Sequence, residues 1–238
     1  MGTLFGTDGI RGKAGEPPLD DDNLLRLGRA IGRVLGRSGR GTPRVVIGRD
    51  TRESGPGILR ELAEGLKQQG AAVRSAGVVP TPAVSLLARS DSFDAGIAIS
   101  ASHNPYQDNG LKIFGNEGGK LPDELEAAIE SELAAMGDVE RMGSPAPVDE
   151  PTLRSRHREW LRDRAQSWGL DLSGRKLVVD AAHGAAAEAA AQLFSELGAE
   201  VESLGDSPTG TNINDGRGSL YPDELGVRVR SVGAELGI

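Results

Sequence analysis

The 238-residue sequence contains no cysteine, which excludes a disulfide framework and thiol chemistry and fits a reducing compartment. Aromatic side chains make up only 3%, so the core must be built from Leu, Val, Ile and Ala. No apolar run approaches the roughly 20 residues of a membrane span. No basic stretch followed by an apolar core opens the chain, so no signal peptide is expected and a cytoplasmic location is. Positive charge is in deficit: the formal net charge is −8 and the pI is near 5.0. That balance argues against a nucleic-acid partner. It leaves an anionic substrate open, because the field at a site follows local placement rather than the total. Lysine is scarce as well. Of 27 basic residues five are Lys and the other 22 Arg, a bias that suits bidentate phosphate contacts and equally reflects genome composition.

What is present centres on residues 95–114, AGIAISASHNPYQDNGLKIF. The apolar run Ala95–Ile99 reads as a short buried strand. A polar loop follows, Ser100–Gly110, with an Asn109–Gly110 turn signal near its end. Leu111-Lys112-Ile113-Phe114 reads as the next strand. Strands flanking the loop would return Lys112 close to Ser102, ten positions away. A serine at a strand exit beside a lysine is a nucleophile with a proton-handling neighbour; the same pattern also suits a plain hairpin with a polar tip.

Upstream, GTLFGTDGIRG over residues 2–12 carries four glycines and Arg11, and reads as an ordered loop that could bring backbone N–H groups and a guanidinium to a phosphate. Leu19–Arg37 has an apolar stripe at helical spacing, Leu24, Leu27, Ile31 and Val34, behind acidic capping residues Asp20–Asp22. Arg44–Gly48 is a strand. The loop after it holds Arg49, Asp50, Thr51 and Arg52, at the carboxyl end of a strand where α/β proteins place ligands. Arg49 and Arg52 suit either phosphate binding or bracing of the Ser102 loop. A helix to about Gln69, a strand Ala72–Gly77, a helix opened by Pro80-Thr-Pro82 and a helix Pro122–Met136 complete this part.

Residues 137–151 lose periodicity and gain Pro and Gly, the signature of a linker. A charged helix runs from Thr152 to about Trp168. Beyond it KLVVDAAHG…LFSELGAEVESLG repeats the order of RVVIGRDTR…LKQQGAAVRSAG: strand, loop, helix, Gly-Ala, strand. That duplication gives two related units with mainly parallel pairing. The loop 205–219 is long and turn-rich, and a last helix is expected from Pro222 to about Leu236. The expectation is an α/β fold of two three-layer α/β/α domains with mixed, mainly parallel sheets, residues 1–150 and 151–238. The three histidines, His103, His157 and His183, are not spaced as metal ligands.

Ser-Ala-Ser-His-Asn-Pro with Asp-Asn-Gly-Leu-Lys-Ile, and Gly-Thr-Asp-Gly-Ile-Arg-Gly near the start, resemble the hallmark motifs of the α-D-phosphohexomutases. The resemblance implies that Ser102 carries a phosphoryl group exchanged with a hexose phosphate, that Lys112 is the general base, and that Arg11 lies near the phosphoserine. His103 and Asn104 would support the phosphate, and Arg49 and Arg52 would mostly brace the site. The Asn212-Ile-Asn214…Gly218-Ser219 segment resembles the bacterial branch that interconverts glucosamine 6-phosphate and glucosamine 1-phosphate; branches acting on mannose or glucose phosphates are the alternative. The resemblance also implies Mg²⁺, bound here only through the Ser102 phosphate, because the family's Asp-Gly-Asp loop is not in these residues. It covers the family's first domain and most of its second, so the chain alone is expected to be inactive, a non-catalytic two-domain module. As partners it implies a hexose phosphate, with the protein a monomer or homodimer. A serine hydrolase built on Ser102 and His103 is disfavoured, because the Gly-x-Ser-x-Gly elbow is missing.

Overall fold

The computed structural model describes residues 4–7, 9–37, 39, 41–90 and 93–238. Gly2, Thr3 and Asp8 of the glycine-rich opening segment lie outside the described residues. The first α/β unit is built on a five-stranded mixed sheet. Its strands are β1 (Ile10–Lys13), β2 (Arg44–Arg49), β3 (Ala72–Val78), β4 (Ala95–Ile99) and β5 (Asp108–Gly115), in the order β1-β5-β4-β2-β3. The β2–β3 and β2–β4 pairs are parallel, and β5 runs antiparallel to both β4 and β1. The second unit has three parallel strands, β6 (Lys176–Asp180), β7 (Glu200–Leu204) and β8 (Leu236–Gly237), ordered β7-β6-β8.

Strand alternation divides the first core in two. Val45, Ile47, Ile97, Ile99, Leu111 and Ile113 face helices α1 (Asp21–Gly36), α2 (Gly55–Lys67) and α4 (Asp123–Ala135). Val46, Ala76 and Ala98 face α3 (Thr81–Ser90) and Leu153 of α5 (Pro151–Ser167). The α1 stripe expected from spacing is in place, with Leu24, Leu27, Ile31 and Val34 buried. Its N-cap is Asp20, whose side chain accepts from the Asn23 N–H at 3.2 Å. In the second unit α6 (Ala189–Glu196) packs on β7 and α7 (Pro222–Val232) on β6 and β8. Among the described residues no helix is long and apolar enough to cross a membrane.

Four local readings need correction. The segment read as a loop over 2–12 ends in a strand, β1, because Ile10–Lys13 finds a ladder partner in β5. Asn109–Gly110 is no turn; it lies inside β5, opposite Gly12 and Arg11. The Asn109 side chain is turned to the protein interior, donating to Ser54 Oγ at 2.8 Å and accepting from the Gly110 N–H. The last helix stops at Val232, where Gly233 takes a left-handed conformation, and Leu236–Gly237 pairs with β6 instead. The linker is strapped down over α2. The buried carboxylate of Glu64 accepts from the Met142 and Gly143 N–H groups, Arg141 pairs with buried Glu61 and with Asp22, and Lys67 Nζ donates to Pro145 O at 2.7 Å. At its far end Glu150 N donates to Ser75 O at 2.8 Å beside β3.

Helices α1 and α2 touch backbone to backbone where Gly28 meets Gly65. A Cβ on Gly65 would stand 2.2 Å from Leu25 O and 2.8 Å from Arg29 N. Gly65→Ala should therefore destabilise the fold by about 2 kcal/mol or more, overpacking outweighing roughly 1 kcal/mol of helix propensity. Gly57→Ala, in open space on the same helix, should stabilise by about 0.5–1 kcal/mol. Urea-unfolding midpoints of the two variants must move in opposite directions.

Candidate active site

The Ser102 loop leaves β4 at Ser100 and re-enters the sheet at Asp108. Its entry is fixed by Ser100 N donating to Gly110 O at 2.9 Å. Inside it, Ser102 N donates to Ser100 Oγ at 3.1 Å, Asn104 N to Ala101 O at 3.2 Å, and Asn104 Nδ2 to Asp108 Oδ2 at 2.9 Å. Ser102 has φ +57°, a left-handed conformation that a side chain other than glycine seldom adopts and that is found where function over-determines the backbone. Ser102 and His103 are exposed, while the loop's carbonyls turn inward.

What holds those carbonyls is Arg52, only 1% exposed. Its Nη2 donates to Asn104 O at 2.6 Å and Ser102 O at 3.3 Å, and its Nε to Asp108 O at 2.8 Å. Its charge is met by buried Asp50, whose other oxygen accepts from the Arg52 N–H at 3.0 Å. Arg52 is thus a brace. Arg49 is committed too: its two terminal nitrogens donate to Asp149 at 3.2 and 2.9 Å, and Ser75 Oγ adds a third bond at 2.6 Å. The choice left open by sequence falls to bracing for both arginines.

Register brings Arg11 and Lys112 to one face. Arg11 stands opposite Gly110, and Lys112 opposite Ala98, so period-two alternation puts both on the α3 side of the sheet. Gly110 makes room for this. A Cβ there would lie 3.2 Å from Arg11 Cγ and 2.9 Å from Ser100 O. The two cationic side chains therefore share the sheet face next to the root of the Ser102 loop. Lys112 is half-buried.

A cleft of about 210 Å³ opens between the two units, with Ser100, Ser102, Arg49, Ala182, Ile213 and Asn214 among its walls. Of the expected site residues Ser102 and Arg49 line it; Arg11, Lys112, His103, Asn104 and Arg52 do not. A larger hollow, about 520 Å³, lies behind the 184–189 turn and contains none of them. Asn214 is the residue that sequence reasoning missed as a contact. Its Nδ2 donates to Ser102 O at 2.9 Å and Asn104 O at 3.0 Å. Nearby, Thr51 Oγ1 donates to His183 O at 2.6 Å and Glu53 N to Gly210 O at 3.0 Å. The only sequence signal was a long Asn- and Gly-rich loop. Among the described residues no three His, Asp or Glu side chains gather so as to hold a metal ion.

The family model for phosphoglucomutase/phosphomannomutase, alpha/beta/alpha domain I, matches residues 2–139. A phosphoglucosamine mutase of Bordetella parapertussis is 50% identical over 245 aligned positions, covering 98% of this chain and 54% of that protein. One from Paraburkholderia phymatum is 46% identical, covering 98% and 53%. The crystal structure of a phosphoglucomutase/phosphomannomutase family protein from Burkholderia thailandensis superimposes with a TM-score of 0.78 at 29% identity, over 99% of this chain and 51% of that one. The chain spans about half the length of the curated relatives it matches.

Two outcomes follow from the braces. Arg52→Met leaves Asp50 buried without its counter-charge and should cost about 3–5 kcal/mol in chemical denaturation, part of which Asp50→Asn in the same chain restores. Burial on its own raises the Asp149 carboxyl, but hydrogen bonds from Arg49 and Ser75 outweigh it and hold the group below 3.8. A depressed carboxyl stabilises the fold above its unfolded value and loses that contribution as pH falls through the lower folded one. The gap in unfolding midpoint between wild type and Asp149→Asn should thus be constant above about pH 5 and shrink below about pH 4.

Proposed function

The chain belongs to the phosphoglucomutase/phosphomannomutase family, and from that premise we propose that it is the phosphoserine-bearing part of a phosphoglucosamine mutase, which interconverts glucosamine 6-phosphate and glucosamine 1-phosphate. The observation that carries this reading is Ser102. It is an exposed hydroxyl on a loop whose backbone is clamped from beneath, with Arg11 and Lys112 on the adjoining sheet face. The choice of amino sugar rests on the 50% and 46% identical relatives of that name. Residues 1–150 form the domain that carries the serine and 151–238 the start of the next, with α5 packed against both units.

Phosphoryl transfer asks for positioning and charge neutralisation more than for covalent help. In the resting form Ser102 Oγ carries the phosphoryl group. A sugar hydroxyl attacks the phosphorus, the Oγ–P bond breaks, and Lys112 takes the hydroxyl proton. The bisphosphorylated sugar then returns its other phosphoryl group to Ser102 Oγ, and the charge state of Lys112 is restored. Arg11 offsets phosphate charge, and His103 hydrogen-bonds the phosphate oxygens. Asn104 sets the loop, and Arg49 and Arg52 keep it and its surroundings in place. The resemblance implies Mg²⁺. These residues do not make up a cage of carboxylates for it, so no step here runs through the ion. The substrate is a hexose phosphate, the protein a monomer or homodimer, and the 238-residue chain by itself is inactive.

With glucosamine 6-phosphate, the full-length gene product should form glucosamine 1-phosphate. Ser102→Ala should lower turnover by at least about 10⁴-fold and remove the phosphoryl group from the intact mass. Lys112→Met should lower kcat by about 10²–10⁴-fold while the serine remains phosphorylated. Wild-type turnover in Ser102→Ala would sink the reading.

A further inference from the structure

Two residues from different units reach the same pair of backbone oxygens. Arg52, at the exit of β2, donates to Ser102 O and Asn104 O from one side. Asn214, 112 residues beyond Ser102, donates to the same two oxygens at 2.9 and 3.0 Å. A single amide group bridging two carbonyls of one tight loop fixes their separation and direction, and with them the direction in which the Ser102 side chain leaves the backbone. Ser102 needs such fixing because its φ of +57° is not one a serine holds unaided.

Asn214 is itself held. Its φ is +62°, a conformation that asparagine tolerates better than most residues. Its N–H donates to Ala182 O at 2.9 Å, in the turn after β6. That turn is in turn fastened to the first unit through Thr51 and His183. Asn214 therefore reports the placement of the second unit directly to the serine loop.

We propose that Asn214 is a positioning residue: it sets the Ser102 loop from the second unit, so that Ser102 is correctly presented only when the two units are seated against each other. This rests on the functional reading above for its effect on turnover, and on geometry alone for its effect on the loop. The step it serves is the one already written, transfer of a phosphoryl group between Ser102 Oγ and a sugar hydroxyl; Asn214 touches neither the phosphorus nor the sugar.

The test uses Asn214→Gly and Asn214→Asp in the full-length gene product. Glycine keeps the left-handed backbone and loses the donor. Aspartate keeps the shape and replaces the donor with an acceptor facing two acceptors. Amide hydrogen exchange is read at Ser102 and Asn104, whose N–H groups bond within the loop. Both variants should exchange there at least tenfold faster, with strands β2 and β4 unaffected. Both should lose about tenfold or more in kcat, with KM for the sugar phosphate within about twofold. Asn214→Gln is not a rescue, because its longer arm misplaces the amide. Unchanged exchange in Asn214→Gly would show that the asparagine serves only its own backbone conformation and overturn the proposal. Faster exchange with unaltered kcat would overturn it as well. Wild-type protein without mutase turnover, but with faster exchange in both variants, would refute the functional reading while supporting the setting of the loop by Asn214.

Discussion

A single buried guanidinium decides whether the Ser102 loop has a shape. Arg52 is almost fully excluded from solvent, and such a charge is tolerable only when paired and hydrogen-bonded throughout. Asp50 supplies the counter-charge, and the carbonyls of Ser102, Asn104 and Asp108 take the remaining donors. The dependence is mutual. The arginine needs those oxygens to offset its desolvation, and the loop, with a left-handed serine in it, needs the arginine to hold its turn. Breaking either side leaves an expensive remainder, so the loop's conformation is coupled to the stability of the whole first unit rather than to local preferences.

This division of labour explains how a chain with net charge −8 can present a cationic face. Arg49 and Arg52 are neutralised by Asp149 and Asp50 and add little field. Arg11 and Lys112 are placed by the β1–β5–β4 register instead. The acidic surplus sits elsewhere, in the first turns of α1 and α4 and along the linker's contacts with α2. Local arrangement, not the total, sets the potential where an anion would approach.

Much of the fold was legible because its determinants are local. The stripe Leu24, Leu27, Ile31, Val34 is a helix by periodicity alone, and the runs Arg44–Gly48, Ala95–Ile99 and Lys176–Asp180 are strands by their apolar β-branched content. The errors share one cause. Gly9–Lys13 and Asn109–Gly110 have the composition of turns, yet each supplies the other's ladder partner across about a hundred residues, and tertiary pairing overrides local preference. Leu236–Gly237 is the same case, drawn from a helical pattern into a sheet by β6. In the site, Ser102, Lys112 and Arg11 stood out by motif. The partners Asp149 and Asn214 did not, since nothing in a sequence announces which carbonyl a distant amide will find.

The strapped linker has a further meaning for how the two units move. A free stretch of some fifteen residues would act as a slack tether, letting the attached body wander over a wide volume. Here residues 141–145 are tacked along one helix, and Asp149 and Glu150 are tacked again beside the first sheet. The slack is taken up before the chain enters the second body. What remains is a fulcrum near Pro151, about which that body tips as a short lever, so its excursions are rotations that open or shut the gap above the serine rather than departures from it.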